Sequence, residues 1–208
     1  MARLLVPPAD CPLCPRLATF RADNRQQFPD FFNAPVSSFG DPEAWLLIVG
    51  LAPGLKGANR TGRPFTGDYA GDLLYATLIK FGLARGHYDR RPDDGLRLGG
   101  CRITNAVRCV PPQNKPTPAE VRTCRRFLEA EIAGLPHLRA ILALGAVAHG
   151  TVLAALGQKP GRFRFGHGAR HVLPDGPLLA DSYHCSRYNT NTGRLSPEMF
   201  EAVFAALA

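Results

Sequence analysis

From Gly50 the chain runs Gly50-Leu51-Ala52-Pro53-Gly54-Leu55-Lys56-Gly57-Ala58-Asn59-Arg60-Thr61-Gly62-Arg63-Pro64-Phe65-Thr66-Gly67-Asp68-Tyr69-Ala70-Gly71. Before it, Trp45-Leu46-Leu47-Ile48-Val49 is a short apolar run that reads as a buried strand; after it, Asp72 to Ile79 carries apolar residues at helical spacing. The stretch therefore joins the C-terminal end of a strand to a helix, at the edge of an α/β sheet where ligands sit. Glycine lets a ligand approach the backbone closely. Long loops in compact domains are usually functional or disordered, and Phe65 and Asp68 among glycines and cations favour a built site. The Gly-Lys-Ser/Thr ending of a phosphate-binding loop is absent, and the glycine spacing does not fit the dinucleotide fingerprint.

The remaining periodicity alternates strands with helices. A short helix is expected around 14–25, followed by irregular chain. The helix after the glycine loop runs to about Leu83, and residues 84–99 read as a variable surface loop. Cys101 to Val107 alternates and is β-branched, a strand with Asn105 near its C-terminal end. Thr117-Pro118-Ala119-Glu120 is a helix start with a hydroxyl cap, proline at the first position and glutamate at the third. Val121, Cys124, Leu128, Ile132 and Leu135 form its apolar stripe. Arg139 to Leu144 is a third core strand, and a helix follows from Ala146 to Leu156 with His149 inside it. Phe163–Gly168 and Ala169–Leu173 read as two short strands, and Pro177 to Ser182 as a fourth core strand. Tyr183 to Leu195 is a polar loop, and Ser196-Pro197 starts a last helix with Phe200, Val203, Phe204 and Leu207 on one face. This is an α/β chain with a mainly parallel central sheet. The loop at 50–72, Asn105 and the loop at 183–195 all leave the same sheet edge, so a convergent cleft is expected.

The 208 residues fit one domain. No apolar run reaches the roughly 20 residues needed to span a bilayer, and the proline-rich start at Met1 to Pro8 is too short for a signal peptide. A cytoplasmic protein is expected, associated with the nucleoid only through DNA. The net charge of +8 comes mostly from arginine, which grips phosphates in a planar fork and stacks on bases, so a polyanionic partner is favoured. Six cysteines without a secretory signal argue against a disulfide framework. Cys11 and Cys14 form a C-x-x-C pair, and Cys109 and Cys124 a wider one. Four thiolates brought together suggest a zinc or iron–sulfur site, and spacing alone does not choose between them. Cys101 and Cys185 read as small buried side chains.

Three blocks resemble a known family: Gly50-Leu51-Ala52-Pro53-Gly54 through Gly67-Asp68-Tyr69-Ala70-Gly71; Ile103-Thr104-Asn105 with Cys109 and Cys124; and His184-Cys185-Ser186-Arg187-Tyr188-Asn189-Thr190-Asn191-Thr192-Gly193. In this order they are similar to the family 5, or type B, uracil-DNA glycosylases. With Cys11 and Cys14 the likeness spans nearly the whole chain. It implies a three-layer α/β/α fold around a four-stranded, mainly parallel sheet. A single domain, 1–208, would have its cysteine segment at about 9–35 tied in by a [4Fe–4S] cluster on Cys11, Cys14, Cys109 and Cys124. It implies a monomeric enzyme that acts on double-stranded DNA and excises uracil and related bases, with hypoxanthine, hydroxymethyluracil and ethenocytosine as further substrates. Sister branches carry a polar residue just after the first glycine. Here that place is Leu51, and Asp68 becomes the candidate for the missing carboxylate or amide.

The resemblance also assigns roles. Gly50, Ala52, Pro53, Gly54 and Phe65 would form the base pocket with Asn105 and His184. Phe65 would stack on an everted base, Asn105 would bond its Watson–Crick edge, and His184 would stabilise the departing base. Asp68 would stabilise the sugar cation and orient water; the alternative is that it caps the next helix. Lys56, Asn59, Arg60, Arg63, Ser186, Arg187, Tyr188, Asn189 and Asn191 would face DNA, with Arg187 or Tyr188 as the wedge that fills the emptied stack. None of the four lysines is assigned to the active site, which implies a monofunctional enzyme without lyase activity. Two rivals fit parts of the same sequence: a non-catalytic nucleic-acid module stapled by four-cysteine zinc, and a glycosylase narrowed to hypoxanthine or thymine mismatches.

Overall fold

In the computed structural model, which describes residues 5–207, helix α1 (Pro15–Gln27) is followed by β1 (Phe39–Gly40), β2 (Leu46–Gly50), α2 (Ala58–Thr61) and α3 (Tyr69–Lys80). Next come β3 (Ala84–Arg85), β4 (Arg97–Leu98), β5 (Cys101–Asn105), α4 (Pro118–Ala133), β6 (Ala140–Leu144) and α5 (Ala146–Ala155). The chain ends with β7 (Arg170–His171), β8 (Leu178–Ser182), α6 (Arg187–Asn191) and α7 (Pro197–Ala205). Residues 1–4, part of the segment considered above as a signal peptide, lie outside the described residues. Among the described residues no helix is long and apolar enough to cross a membrane.

The main sheet has the order β1-β5-β2-β6-β8-β7. Its four central strands, β5, β2, β6 and β8, are parallel. The expected four-stranded sheet is extended by β1 and β7, which pair antiparallel at the two edges. Both are two residues long, too short for any periodicity. Of the two strands expected over 163–173, only Arg170–His171 pairs. The loop at 183–195 holds the short helix α6, and α2 interrupts the glycine loop.

Strands β2 and β6 are buried at every position, the pattern of parallel strands covered on both faces. Side chains alternate between those faces. Leu46, Ile48, Ile103 and Leu142 pack against Leu74, Tyr75 and Leu78 of α3 and Phe200, Val203 and Phe204 of α7. Leu47, Val49, Ile141 and Ala143 pack against Leu128 of α4 and Val152 and Leu153 of α5. These are the three layers. Helix α4 opens on the expected capping box: Thr117 accepts from the Glu120 amide, and Glu120 accepts from the Thr117 amide. The same glutamate binds Arg16 at 2.7 Å, tying α1 to α4 across a small core of Cys11, Leu17, Val107, Cys109, Cys124 and Phe127.

The chain visits β2, then β5 on one side of it, then β6 on the other. The loop after β2 therefore leaves the sheet at a topological switch point, the crevice where α/β folds bind ligands. In-register pairing puts Gly50 beside Asn105, and β8 ends two residues before His184. Three distant segments thus arrive at one edge.

Candidate active site

At that edge Ala52, Pro53, Gly54, Ala58, Phe65, Asp68, Ala70, Asn105 and His184 line one small pocket. It opens into a groove of about 840 Å³, lined by Leu51, Leu55, Lys56, Gly57, Tyr69, Asn114, Ser186 and Arg187 among others. Phe65, Asp68, Asn105 and His184 therefore share a single cavity. Gly50 does not line it; it stands behind. A Cβ on Gly50 would lie 2.4 Å from Asn105 Oδ1 and 2.6 Å from Phe65 Cζ. Only glycine lets both side chains sit where they do.

Asp68 occupies the N-cap position of α3, yet its side chain makes no cap hydrogen bond, and its Oδ1 is buried without a partner. The carboxylate is wedged against backbone. A Cβ on Gly57 would stand 2.3 Å from Asp68 Oδ2, and one on Gly54 3.2 Å away. Burial pushes the Asp68 carboxyl above its ordinary value, against a pull downward from the Gly71 and Ala70 amides. One carboxylate oxygen, Oδ1, is thus left without a partner beside the first-turn amides of α3, and the side chain lines the pocket.

His184 is also shaped by desolvation, which pushes its imidazole down to about 4. The ring is neutral at physiological pH and can donate one hydrogen bond. It stacks on Phe65 with centroids 5.7 Å apart. Asn189 Nδ2 donates to the His184 carbonyl at 2.8 Å, so Asn189 braces the histidine segment from within. The side-chain amide of Asn105, 3 % exposed, has no hydrogen bond among the described residues and is free for a ligand edge.

Phe65 has a left-handed backbone, φ 52°, which is strained for an aromatic residue. It is held there by α3 and by the segment 84–99, expected to be variable surface. Tyr88 Oη donates to the Phe65 carbonyl at 3.1 Å and accepts from the Gly67 amide at 3.4 Å. Tyr75 Oη donates to the Pro64 carbonyl at 2.6 Å. Asp94 grips Arg63 with two bonds of 2.8 and 2.7 Å. A Cβ on Gly71 would fall 1.8 Å from the Phe65 carbonyl oxygen and 2.3 Å from Tyr88 Oη. These brackets escape sequence reasoning because a tyrosine and an aspartate in a polar, turn-rich stretch carry no periodic signal. Replacing Tyr88 with phenylalanine removes the bond to Phe65 and is expected to destabilise by about 1 kcal/mol. Slower base release at nearly unchanged DNA affinity is the kinetic signature to look for in single-turnover assays.

Two residues expected to face DNA do not. Arg63 is buried, paired with Asp94 and lying over the rings of Phe39, Tyr75 and Tyr88. Asn59 is 1 % exposed and donates to Asn33 Oδ1 at 2.8 Å. Both brace the glycine loop from inside. Lys56 and Arg187 line the groove, Arg187 lying over the Tyr69 ring. Ser186 lines it too and caps α6. Arg60 and Asn191 are exposed, and Tyr188, 72 % exposed, is the most prominent aromatic beside the groove. Asn114, at the groove mouth with φ 56°, was not anticipated; its proline-rich loop reads only as a connector.

Cys11, Cys14, Cys109 and Cys124 line a second cavity together with Leu17, Arg21 and Phe127. Arg21 Nη1 donates to Cys109 Sγ at 3.6 Å, and the Arg108 amide donates to Cys124 Sγ at 3.3 Å. Burial pushes the Cys14 thiol up to about 11 and the Cys109 thiol up to about 12. This cavity adjoins the base pocket through the backbone: the Ala106 and Val107 amides donate to the Gly50 and Leu51 carbonyls at 2.9 and 3.0 Å.

Residues 37–208 match the Uracil DNA glycosylase superfamily. The chain is 49 % identical to a Type-5 uracil-DNA glycosylase of Thermus thermophilus, over 91 % of this chain and 89 % of that protein. It is 45 % identical to one of Mycobacterium bovis, over 93 % and 75 %, and 38 % identical to one of Pyrobaculum aerophilum, over 96 % and 88 %. Type-4 uracil-DNA glycosylase of Pyrobaculum aerophilum matches at 34 % over only 58 % of this chain. The chain therefore belongs to the uracil DNA glycosylase superfamily, in its type-5 branch.

Proposed function

We propose that the protein excises uracil from DNA by hydrolysis and leaves an abasic site for base excision repair. The observation that carries this reading is the single pocket in which an apolar ring, a free amide, a neutral histidine and a buried carboxylate converge, at the end of a groove flanked by cations. Lys56 and Arg187 hold phosphates. The nucleotide is everted at a cost of a few kcal/mol, least for a mispaired base. Phe65 and His184 lie 5.7 Å apart, less than the roughly 7 Å that two stacking contacts would need. The base therefore lies against this pair rather than between its rings. Asn105 bonds its polar edge through both donor and acceptor.

The C1′–N1 bond then breaks, its electron pair leaving with the base, and positive charge develops on the sugar. Neutral His184 donates a hydrogen bond to a base oxygen and stabilises the leaving anion without itself giving up a proton. Ionised Asp68 stabilises the sugar cation and orients a water whose oxygen bonds to C1′; the proton released balances the base anion. The small walls Ala52, Ala58 and Ala70 extend the reading to larger deaminated bases, hypoxanthine among them. Tyr188 is the residue placed to fill the gap in the stack.

The four cysteines fit a [4Fe–4S] cluster. Cys11, Cys109 and Cys124 are buried and Cys14 is half-buried; the Arg21 guanidinium and the Arg108 amide donate to Cys109 and Cys124, contacts that favour a metal-bound thiolate. Four thiols lining one cavity suit such a cluster. When bound, such a cluster would hold the N-terminal segment against the strand end that bears Asn105.

The test is base release from duplexes holding uracil, hypoxanthine, hydroxymethyluracil or thymine opposite guanine. Uracil release is expected from the wild type and a large loss from Asn105→Ala. A protein that binds these duplexes and frees no base would leave only the binding module. Borohydride should trap no covalent complex, and a brown colour absorbing near about 400 nm is expected for the cluster.

A further inference from the structure

Away from the base pocket, His149 of α5, His171 of β7 and Asp181 of β8 meet with their ligand atoms all within 4.8 Å of one another. The Asp181 side chain is 0 % exposed, that of His149 5 % and that of His171 13 %. Asp181 presents Oδ1 to His149 Nδ1 at 2.8 Å and Oδ2 to His171 Nε2 at 3.0 Å. The other nitrogen of His149, Nε2, lies 3.0 Å from the Phe163 carbonyl oxygen.

A carbonyl oxygen only accepts, and so does a carboxylate, while a neutral imidazole carries one N–H. Whichever nitrogen bears it, the other presents a lone pair to an acceptor. The cluster is one cation short at His149. A second ring proton would fill the gap as an imidazolium paired with Asp181, with His171 Nε2–H donating to Oδ2; a bound cation instead takes a lone pair from each ring. A metal ion uses every atom present. With Nε2–H donated to Phe163, the backbone bond that commonly fixes a ligating histidine, Nδ1 offers its lone pair toward Asp181. His171 Nε2 and the two carboxylate oxygens complete four donors. The Gly166 amide steadies Oδ2 from outside at 3.3 Å, and the two rings stand edge to face, centroids 5.4 Å apart. Imidazole nitrogen with carboxylate oxygen in a closed, buried setting suits zinc.

We propose that His149, His171 and Asp181 form a structural site for a zinc-class divalent cation, separate from the four-cysteine cavity. The ion ties α5, the 163–171 excursion and β8 together beneath the segment that carries His184. It takes no part in bond breaking.

The test uses the protein as purified, with zinc and iron per chain measured before and after one equivalent of zinc chloride. One zinc per chain is expected, with iron and the absorbance near about 400 nm unchanged and a melting temperature raised by at least about 4 °C. His171→Gln should lose both the zinc and the shift while keeping uracil release. Zinc gained only as iron is lost, or bound equally by His171→Gln, would overturn the proposal. So would zinc-edge anomalous scattering from wild-type crystals with no peak among the three side chains, a measurement that needs no variant to fold.

Discussion

Asp68→Asn is expected to slow base release by about 10²–10³-fold, the scale at which a preorganised electrostatic partner of a transition state acts, and at the same time to raise the melting temperature at neutral pH. The two effects share a cause. The folded protein holds the Asp68 proton more tightly than the unfolded chain, because burial penalises the ionised carboxyl. The stabilising contribution of such a group is complete below its unfolded pKa, about 3.9, and is lost as pH rises through the higher folded value. At neutral pH the ionised Asp68, with Oδ1 unpartnered, therefore works against the fold. Asparagine keeps the shape and removes the charge. Single-turnover release and thermal unfolding on the same preparation check both halves. A variant that melts lower and cleaves normally would return Asp68 to the role of a helix cap. The same carboxyl sets the acid limb of kcat/KM for the wild type. That limb should lie above the range of exposed carboxylates and vanish in the variant, since His184, at about 4, stays neutral across it.

Gly50→Ala should cost at least about 100-fold in uracil release while leaving the chain folded. The added Cβ would meet Asn105 Oδ1 at 2.4 Å and the Phe65 ring at 2.6 Å, so the base-reading amide and the apolar wall cannot both keep their places. Overpacking of a tight interior costs about 1–3 kcal/mol, which a domain of this size tolerates, whereas a displacement of about 1 Å at a reacting site is worth about 10² in rate. The loss should be mainly in the chemical step, with duplex binding through Lys56 and Arg187 preserved. Equal losses in unfolding temperature and DNA affinity would instead mark Gly50 as a purely structural position.

The four parallel strands were legible because three are apolar runs and the fourth, Cys101–Asn105, alternates and is β-branched. The edge strands Phe39–Gly40 and Arg170–His171 were not, since two residues carry no period. Phe65, Asp68, Asn105 and His184 could be singled out because they fall in blocks that resemble the type-5 enzymes, in or beside segments that leave one sheet edge. Asn59 and Arg63 sit in the same loop and looked alike. Their inward turn depends on Asn33 and Asp94, partners 26 and 31 residues away, and no local pattern records such a pairing.

The amino-acid sequence by itself determined the layer order, the sheet edge on which the site is built and the set of side chains able to do the chemistry, because hydrophobic periodicity and turn chemistry are local properties of the chain. Tertiary structure alone decided that Asp68 would be left unsatisfied, that His184 would be neutral, that Tyr88 would brace Phe65, and that two histidines and an aspartate from three elements would meet. Desolvation and close approach depend on which distant backbone comes within a few ångströms, and that is settled only when the sheet and helices pack.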